Sequence, residues 1–101
     1  MLQREGVSSL DDFRIFETEQ FQKDIKQDFS GQQERIKRKL RSYVYSQLRQ
    51  NPYFGKNIKK PTHYQPETWR YRIGPWRFFY EIDSQKKIIF MTVADSRQEA
   101  Y

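Results

Sequence analysis

The chain has 101 residues and a formal net charge of +6, from 19 Lys and Arg against 13 Asp and Glu; 36% of its residues are hydrophobic and 17% aromatic. That length supports one modest core rather than two, and the abundance of rings excludes a disordered chain. With no cysteine, a disulfide framework, a thiolate zinc site and a thiol nucleophile are all excluded.

Met1 to Asp12 has no periodic pattern and reads as a flexible leader, with a single domain over residues 13–101. The leader lacks the basic-then-apolar order of a signal peptide. No apolar run approaches the roughly 18 residues needed to cross a bilayer, so a soluble, cytoplasmic protein is expected. Phe13 to Glu17 alternates and predicts a short strand. Thr18 is placed to cap a helix whose apolar stripe is Phe21, Ile25 and Phe29, and Gly31 ends it. Ser30 followed by Gln33 reads as a capping box for a second helix with the stripe Ile36, Leu40, Tyr43, Val44 and Leu48. Its opposite face carries Arg35, Lys37, Arg38, Lys39 and Arg41, and Asn51-Pro52 ends it.

Residues 52–67, with Gly55, Pro61 and Pro66, read as a connecting loop that holds the basic cluster Lys56, Lys59 and Lys60. Trp69 to Ile73 and Trp76 to Asp83 then alternate as strands. Gly74-Pro75 suits the two-residue turn between them, the glycine supplying a positive φ. A second turn at Asp83 to Lys86 leads to a last strand, Lys87 to Ala94, apolar on both parities and so expected to be central and at least partly covered on both faces. The element order predicts an α+β domain with two helices laid on an antiparallel sheet.

Charge is unevenly spread. Residues 1–31 hold four Lys/Arg against seven Asp/Glu, residues 32–72 eleven against two, and residues 73–101 four against four. A middle block of +9 points to a polyanion partner, nucleic acid first, or to an acidic protein; a solvated basic helix face is the plainer alternative. The hairpin register sharpens this. If Gly74 and Pro75 form the turn, Ile73 faces Trp76 and Arg72 faces Arg77. Trp69, Tyr71, Ile73, Trp76, Phe78, Tyr80 and Ile82 then share the face toward the helices, leaving Arg70, Arg72, Arg77, Phe79, Glu81 and Asp83 on the other. Two opposed arginines cost roughly 0.2 to 1 kcal/mol. Such an arrangement makes sense where an anion sits, because guanidinium forks hold phosphate oxygens bidentately. Neutralisation by Glu81, Asp83 and solvent is the alternative. Phe79, exposed in this register, offers a face on which an unpaired base can stack, unless a loop covers it.

The stretches "FRIFETEQFQKDIKQ", "LRQNPYFGKNIKK", "WRYRIGPWRFFYEID" and "ADSRQEAY", which together span about residues 13–101, resemble the RelE/ParE superfamily of bacterial and archaeal toxins from toxin-antitoxin pairs. The resemblance implies a four-stranded, twisted antiparallel sheet with two helices. For the RelE branch it also implies a ribonuclease that cuts mRNA in the ribosomal decoding site and is silenced by a RelB-like antitoxin. Carried over, the site is Arg70 and Arg72 on the second strand, Arg77 on the third, Arg97 and Tyr101. In-line attack of a ribose 2′-OH on phosphorus builds charge on the phosphoryl oxygens, so Arg72, Arg77 and Arg97 are expected on the phosphate or the leaving oxygen, and Arg70 on backbone positioning. Arginine is a poor proton carrier, and Tyr101 is the expected proton-transfer group. Lys56, Lys59, Lys60 and Phe79 are expected to bind RNA. Many relatives carry a histidine just before the final arginine, where this chain has Ser96; the single histidine, His63, lies in the loop and reads as filler. One histidine and no carboxylate cluster beyond Glu81 and Asp83 predict no metal, and no cofactor is expected. Two other readings stand beside the nuclease: a ParE-like protein that poisons DNA gyrase, and a non-catalytic RNA- or ribosome-binding module.

Overall fold

The computed structural model describes residues 12–29 and 31–96. β1 (Arg14–Glu17) leads into α1 (Glu19–Asp28). The Thr18 hydroxyl caps α1, accepting from the Phe21 N–H at 3.2 Å, and itself donates to the Met91 carbonyl at 2.9 Å. One threonine thus starts the helix and fixes it to a distant strand. The stripe Phe21, Ile25 and Phe29 is buried, and Gly31 follows at φ +83, a left-handed conformation that glycine adopts without strain.

The second helix differs from the sequence reading at its start and its middle. α2 (Gln33–Lys39) has Gln32 at its N-cap with no side-chain cap bond, while Gln33 donates to the Lys26 carbonyl at 3.4 Å; Ser30, the expected cap, lies outside the described residues. A π-helical stretch, Leu40–Val44, joins α2 to α3 (Tyr45–Gln50), its wide turn closed by Tyr45 N–H to Leu40 carbonyl. This i-to-i+5 winding moves the buried face on by one residue. Tyr45 therefore enters the core at 5% exposure, while Tyr43, expected there, is 48% exposed.

Three strands follow as expected: β3 (Trp69–Ile73), β4 (Trp76–Asp83) and β5 (Ile88–Asp95), preceded by the two-residue β2 (Ile58–Lys59) inside the segment read as loop. The sheet is mixed and five-stranded, in the order β1-β5-β4-β3-β2, with β1 parallel to β5 and the other pairs antiparallel. This corrects the expected four-stranded antiparallel sheet. Because β2 pairs antiparallel with β3, the chain reverses once more between the helices and β3 than the sequence reading allowed.

The hairpin has the expected register, Ile73 facing Trp76 and Arg72 facing Arg77, with Gly74 at φ +59. Tyr71, Phe78 and Tyr80 are fully or almost fully buried under the helices beside Ile89 and Met91. Buried tyrosine hydroxyls need partners: Tyr80 donates to the Pro52 carbonyl at 2.7 Å, and Tyr71 donates to Gln47 at 2.8 Å and accepts from Asn57 at 3.2 Å. β5 is central, between β1 and β4. Its second face is only partly covered, with Phe90 packed edge-on against Phe16 and Val93 exposed. No helix among the described residues is long and apolar enough to cross a membrane.

Candidate phosphate-binding face

On the sheet face turned away from the helices, side-chain rows run across the strands. Lys59, Arg70, Phe79 and Val93 are paired in sequence across β2, β3, β4 and β5; Arg72, Arg77 and Asp95 form the next row. Four cations thereby share one face without any loop having to bring them together. Lys56, Asn57, Lys59, Arg70, Arg72 and Gly74 line a shallow cavity of about 310 Å³. The Arg70 Nε is buried and has no hydrogen-bond partner among the described residues. A buried donor left unpaired costs roughly 1 to 3 kcal/mol, and the same side chain lines the cavity.

The opposed arginines turn to different acceptors. Arg72 Nε donates to the Gly74 carbonyl at 3.2 Å, while Arg77 Nη2 meets Asp95 Oδ2 at 3.1 Å with both side chains about one-fifth exposed. Glu81 and Asp83 were the alternative source of neutralisation for the arginines; in the structure Asp95 engages Arg77, and Asp83 caps its own turn by accepting the Lys86 N–H at 3.0 Å. A β-bulge explains the change. Below Phe79/Tyr80 the β4–β5 pairing matches Tyr80 with Met91, and above it Phe79 with Val93, so Thr92 is the extra residue. Without the bulge Arg77 would face Ala94; with it, Asp95 moves opposite Arg77 and Ala94 turns inward. Asp24 of α1 holds the shifted strand: buried, it accepts the Ala94 N–H at 3.0 Å and the Gln20 side-chain amide at 2.7 Å. Nothing in the residue pattern marks this bulge, so Asp95 was not legible as part of the site.

Lys56 and Lys59 stand beside Arg70 and Arg72, but Lys60 does not. It is ion-paired with Glu67 and lies over the Trp69 ring, 5.4 Å from its centroid. Phe79 is not the open platform expected, because Tyr64 from the loop stacks on it, with centroids 6.0 Å apart and planes 26° off parallel. His63 is in that loop at φ +69 and lines a cavity beside Tyr64, not the one that Arg70 and Arg72 line. Arg97 and Tyr101 lie outside the described residues. Among the described residues no group of three or more His, Cys, Asp or Glu could hold a metal ion. A larger groove, about 750 Å³, lies between α1 and α2 and is lined by Lys23, Lys26, Lys37 and Arg41 as well as Glu17 and Glu19.

The family model of the ParE toxin of type II toxin-antitoxin systems, parDE, matches residues 15–100. Among solved structures, the toxin-antitoxin complex RelBE2 from Mycobacterium tuberculosis is similar with a TM-score of 0.67 and 19% identity, covering 87% of this chain and 94% of that one. The archaeal RelE-RelB complex from Pyrococcus horikoshii OT3 gives 0.63 and 17%, covering 88% and 99%. A doubly arginine-substituted mutant of the E. coli toxin RelE in the free state gives 0.58 and 17%, covering 83% and 82%. At these identities the likeness is one of fold. No curated protein matches the chain.

Proposed function

Because this chain belongs to the ParE toxin family of type II toxin-antitoxin systems, we propose that it inhibits translation as a metal-independent endoribonuclease that cuts mRNA at the ribosome. The observation that carries this reading is the pair of cation rows on the open sheet face, Lys59 with Arg70 and Arg72 with Arg77, next to a cavity that Lys56, Arg70 and Arg72 line. The 2′-OH attacks the adjacent phosphorus, the bond from phosphorus to the 5′-oxygen breaks, and the products are a 2′,3′-cyclic phosphate and a free 5′-OH. Arg72 and Arg77 stabilise the charge that builds on the phosphoryl oxygens. One preplaced electrostatic donor of this kind is worth roughly 10²- to 10³-fold in rate. Arg70, Lys56 and Lys59 hold flanking phosphates, Arg97 supplies a further cation, and Tyr101 transfers the proton. With serine at position 96 there is no adjacent imidazole, so orientation of the message by the ribosome carries much of the rate.

The partner that silences it is a RelB-like antitoxin, in keeping with two of the similar structures, which are complexes of toxin with antitoxin. The exposed Lys37, Arg38, Lys39 and Arg41 of the second helix suit an acidic stretch of that protein.

One observation favours a second reading, inhibition of DNA gyrase by binding: the matching family model is that of the ParE toxin. Induced expression of the wild type and of Arg77→Ala, with primer extension on a reporter message, separates the two. Growth arrest with new ends inside translated codons, lost in Arg77→Ala, is the expected result. Arrest with intact message and broken or relaxed chromosomal DNA would establish the gyrase reading in its place, and absence of arrest would leave a binding module.

A further inference from the structure

The loop between β2 and β3 lays a second ring over the phosphate face. Tyr64 stacks on Phe79, which lies opposite Arg70 and two residues along β4 from Arg77 on the same side. That spacing is about 7 Å at the ordinary strand rise. Phe79 is half-buried, while Tyr64 remains 46% exposed, so the outer end of the stack is open. The loop is pinned on both sides: Lys60 pairs with Glu67 and leans on Trp69, and Thr68 Oγ1 donates to the Pro66 carbonyl at 2.9 Å. A cavity of about 470 Å³ beside Tyr64 is lined by Thr62, His63 and Gln65 among others, which bring hydrogen-bond donors and acceptors to the edge of anything stacked there.

We propose that Tyr64, backed by Phe79, is the stacking platform for an unpaired nucleobase of single-stranded RNA, the base of a nucleotide flanking the phosphate held by Arg72 and Arg77. The inference rests on the nuclease reading for which phosphate is cut, but the platform itself requires only that RNA lies across the arginine rows. An aromatic ring takes any base by its face, so the platform adds affinity with little sequence preference, and His63 and Gln65 supply what preference there is. A backing ring matters because a lone loop tyrosine loses side-chain freedom on binding, whereas one already stacked is held in place.

The test uses a short single-stranded oligoribonucleotide with 2-aminopurine next to a single 2′-deoxy nucleotide that blocks cleavage, titrated with the full chain. Wild type is expected to quench the fluorophore, Tyr64→Phe to bind as wild type does, and Tyr64→Ala to bind roughly five- to 150-fold more weakly, through loss of one base-aromatic stack. Circular dichroism shows whether each variant is folded. Equal affinity and quenching in Tyr64→Ala would overturn the platform, as would failure of wild type to bind the RNA. An effect of Tyr64→Ala confined to retention on purified gyrase would overturn it in favour of a protein contact. Cleavage of the all-ribose version is read separately: quenching that depends on Tyr64 without any cleavage, alone or on ribosomes, keeps the platform and removes the nuclease.

Discussion

Arg72 and Arg77 face each other across β3 and β4, and their neighbours make that pairing tolerable. Arg77 reaches Asp95 on one side, while Arg72 bends back to the turn carbonyl of Gly74. Part of the repulsion remains because Arg72 meets no carboxylate among the described residues and stands exposed. Arg72→Thr, a residue that pairs well in sheets, is therefore expected to raise stability in urea by a few tenths of a kcal/mol, within the roughly 0.2 to 1 kcal/mol of a cross-strand pair. The same variant should weaken RNA binding and lower the slope of log affinity against log salt by about one. A stability gain with RNA binding and salt slope unchanged would remove Arg72 from the phosphate face.

At the scale of elements, the geometry of the candidate site depends on a helix correcting a strand. The bulge at Thr92 brings Asp95 opposite Arg77, and α1 holds the bulged strand through Asp24 to the Ala94 N–H. Ser96 Oγ, donating to the Asp28 carbonyl at 2.6 Å, ties the strand end to the last turn of the same helix. Replacing Asp24 by alanine strands a buried N–H and removes a charge-assisted bond. Asp24→Ala is expected to cost about 2 to 3 kcal/mol in equilibrium unfolding. It should also reduce toxicity beyond what the lost stability explains, because the Asp95–Arg77 pairing loosens; growth arrest measured at matched levels of folded protein separates the two effects. Asp24→Asn, which keeps one acceptor, should fall between.

For the whole molecule, the buried tyrosines set the response to alkali. Burial pushes the Tyr45, Tyr71 and Tyr80 hydroxyls above the ordinary tyrosine range, and for Tyr45 the hydrogen bond to the Glu17 carboxylate at 2.5 Å adds to it. The unfolded chain releases these protons from about pH 10, while the folded chain keeps them. The stability they contribute is therefore complete below about pH 10 and is lost as pH rises toward the higher folded values. Urea unfolding followed from pH 8 to 11.5 should show stability falling above about pH 10. Tyr45→Phe should flatten that fall by up to about 1.4 kcal/mol per pH unit, the most one proton can contribute. An unchanged slope in Tyr45→Phe would mean that its hydroxyl is not shielded in solution.

Much of the molecule was legible in the residue pattern because its determinants are local. Period-two alternation around Gly74-Pro75 assigned each side chain of β3 and β4 to a face and set Arg72 against Arg77, and the spacing of Phe21, Ile25 and Phe29 marked the buried side of α1. Arg70, Arg72 and Arg77 were placed on one face that way. Other features arise only when distant segments meet. A π-helical turn exchanges Tyr43 for Tyr45, two residues of β2 hide within a loop because so short a strand has no period, and β1 runs parallel to β5. Asp95 became part of the site only through a bulge fixed from α1, and Tyr64 only through a loop folded back over Phe79. Alternation along one strand determines which face a side chain takes; which side chain of another strand or loop stands beside it is decided by tertiary hydrogen bonds and packing between residues as distant in sequence as Thr18 and Met91.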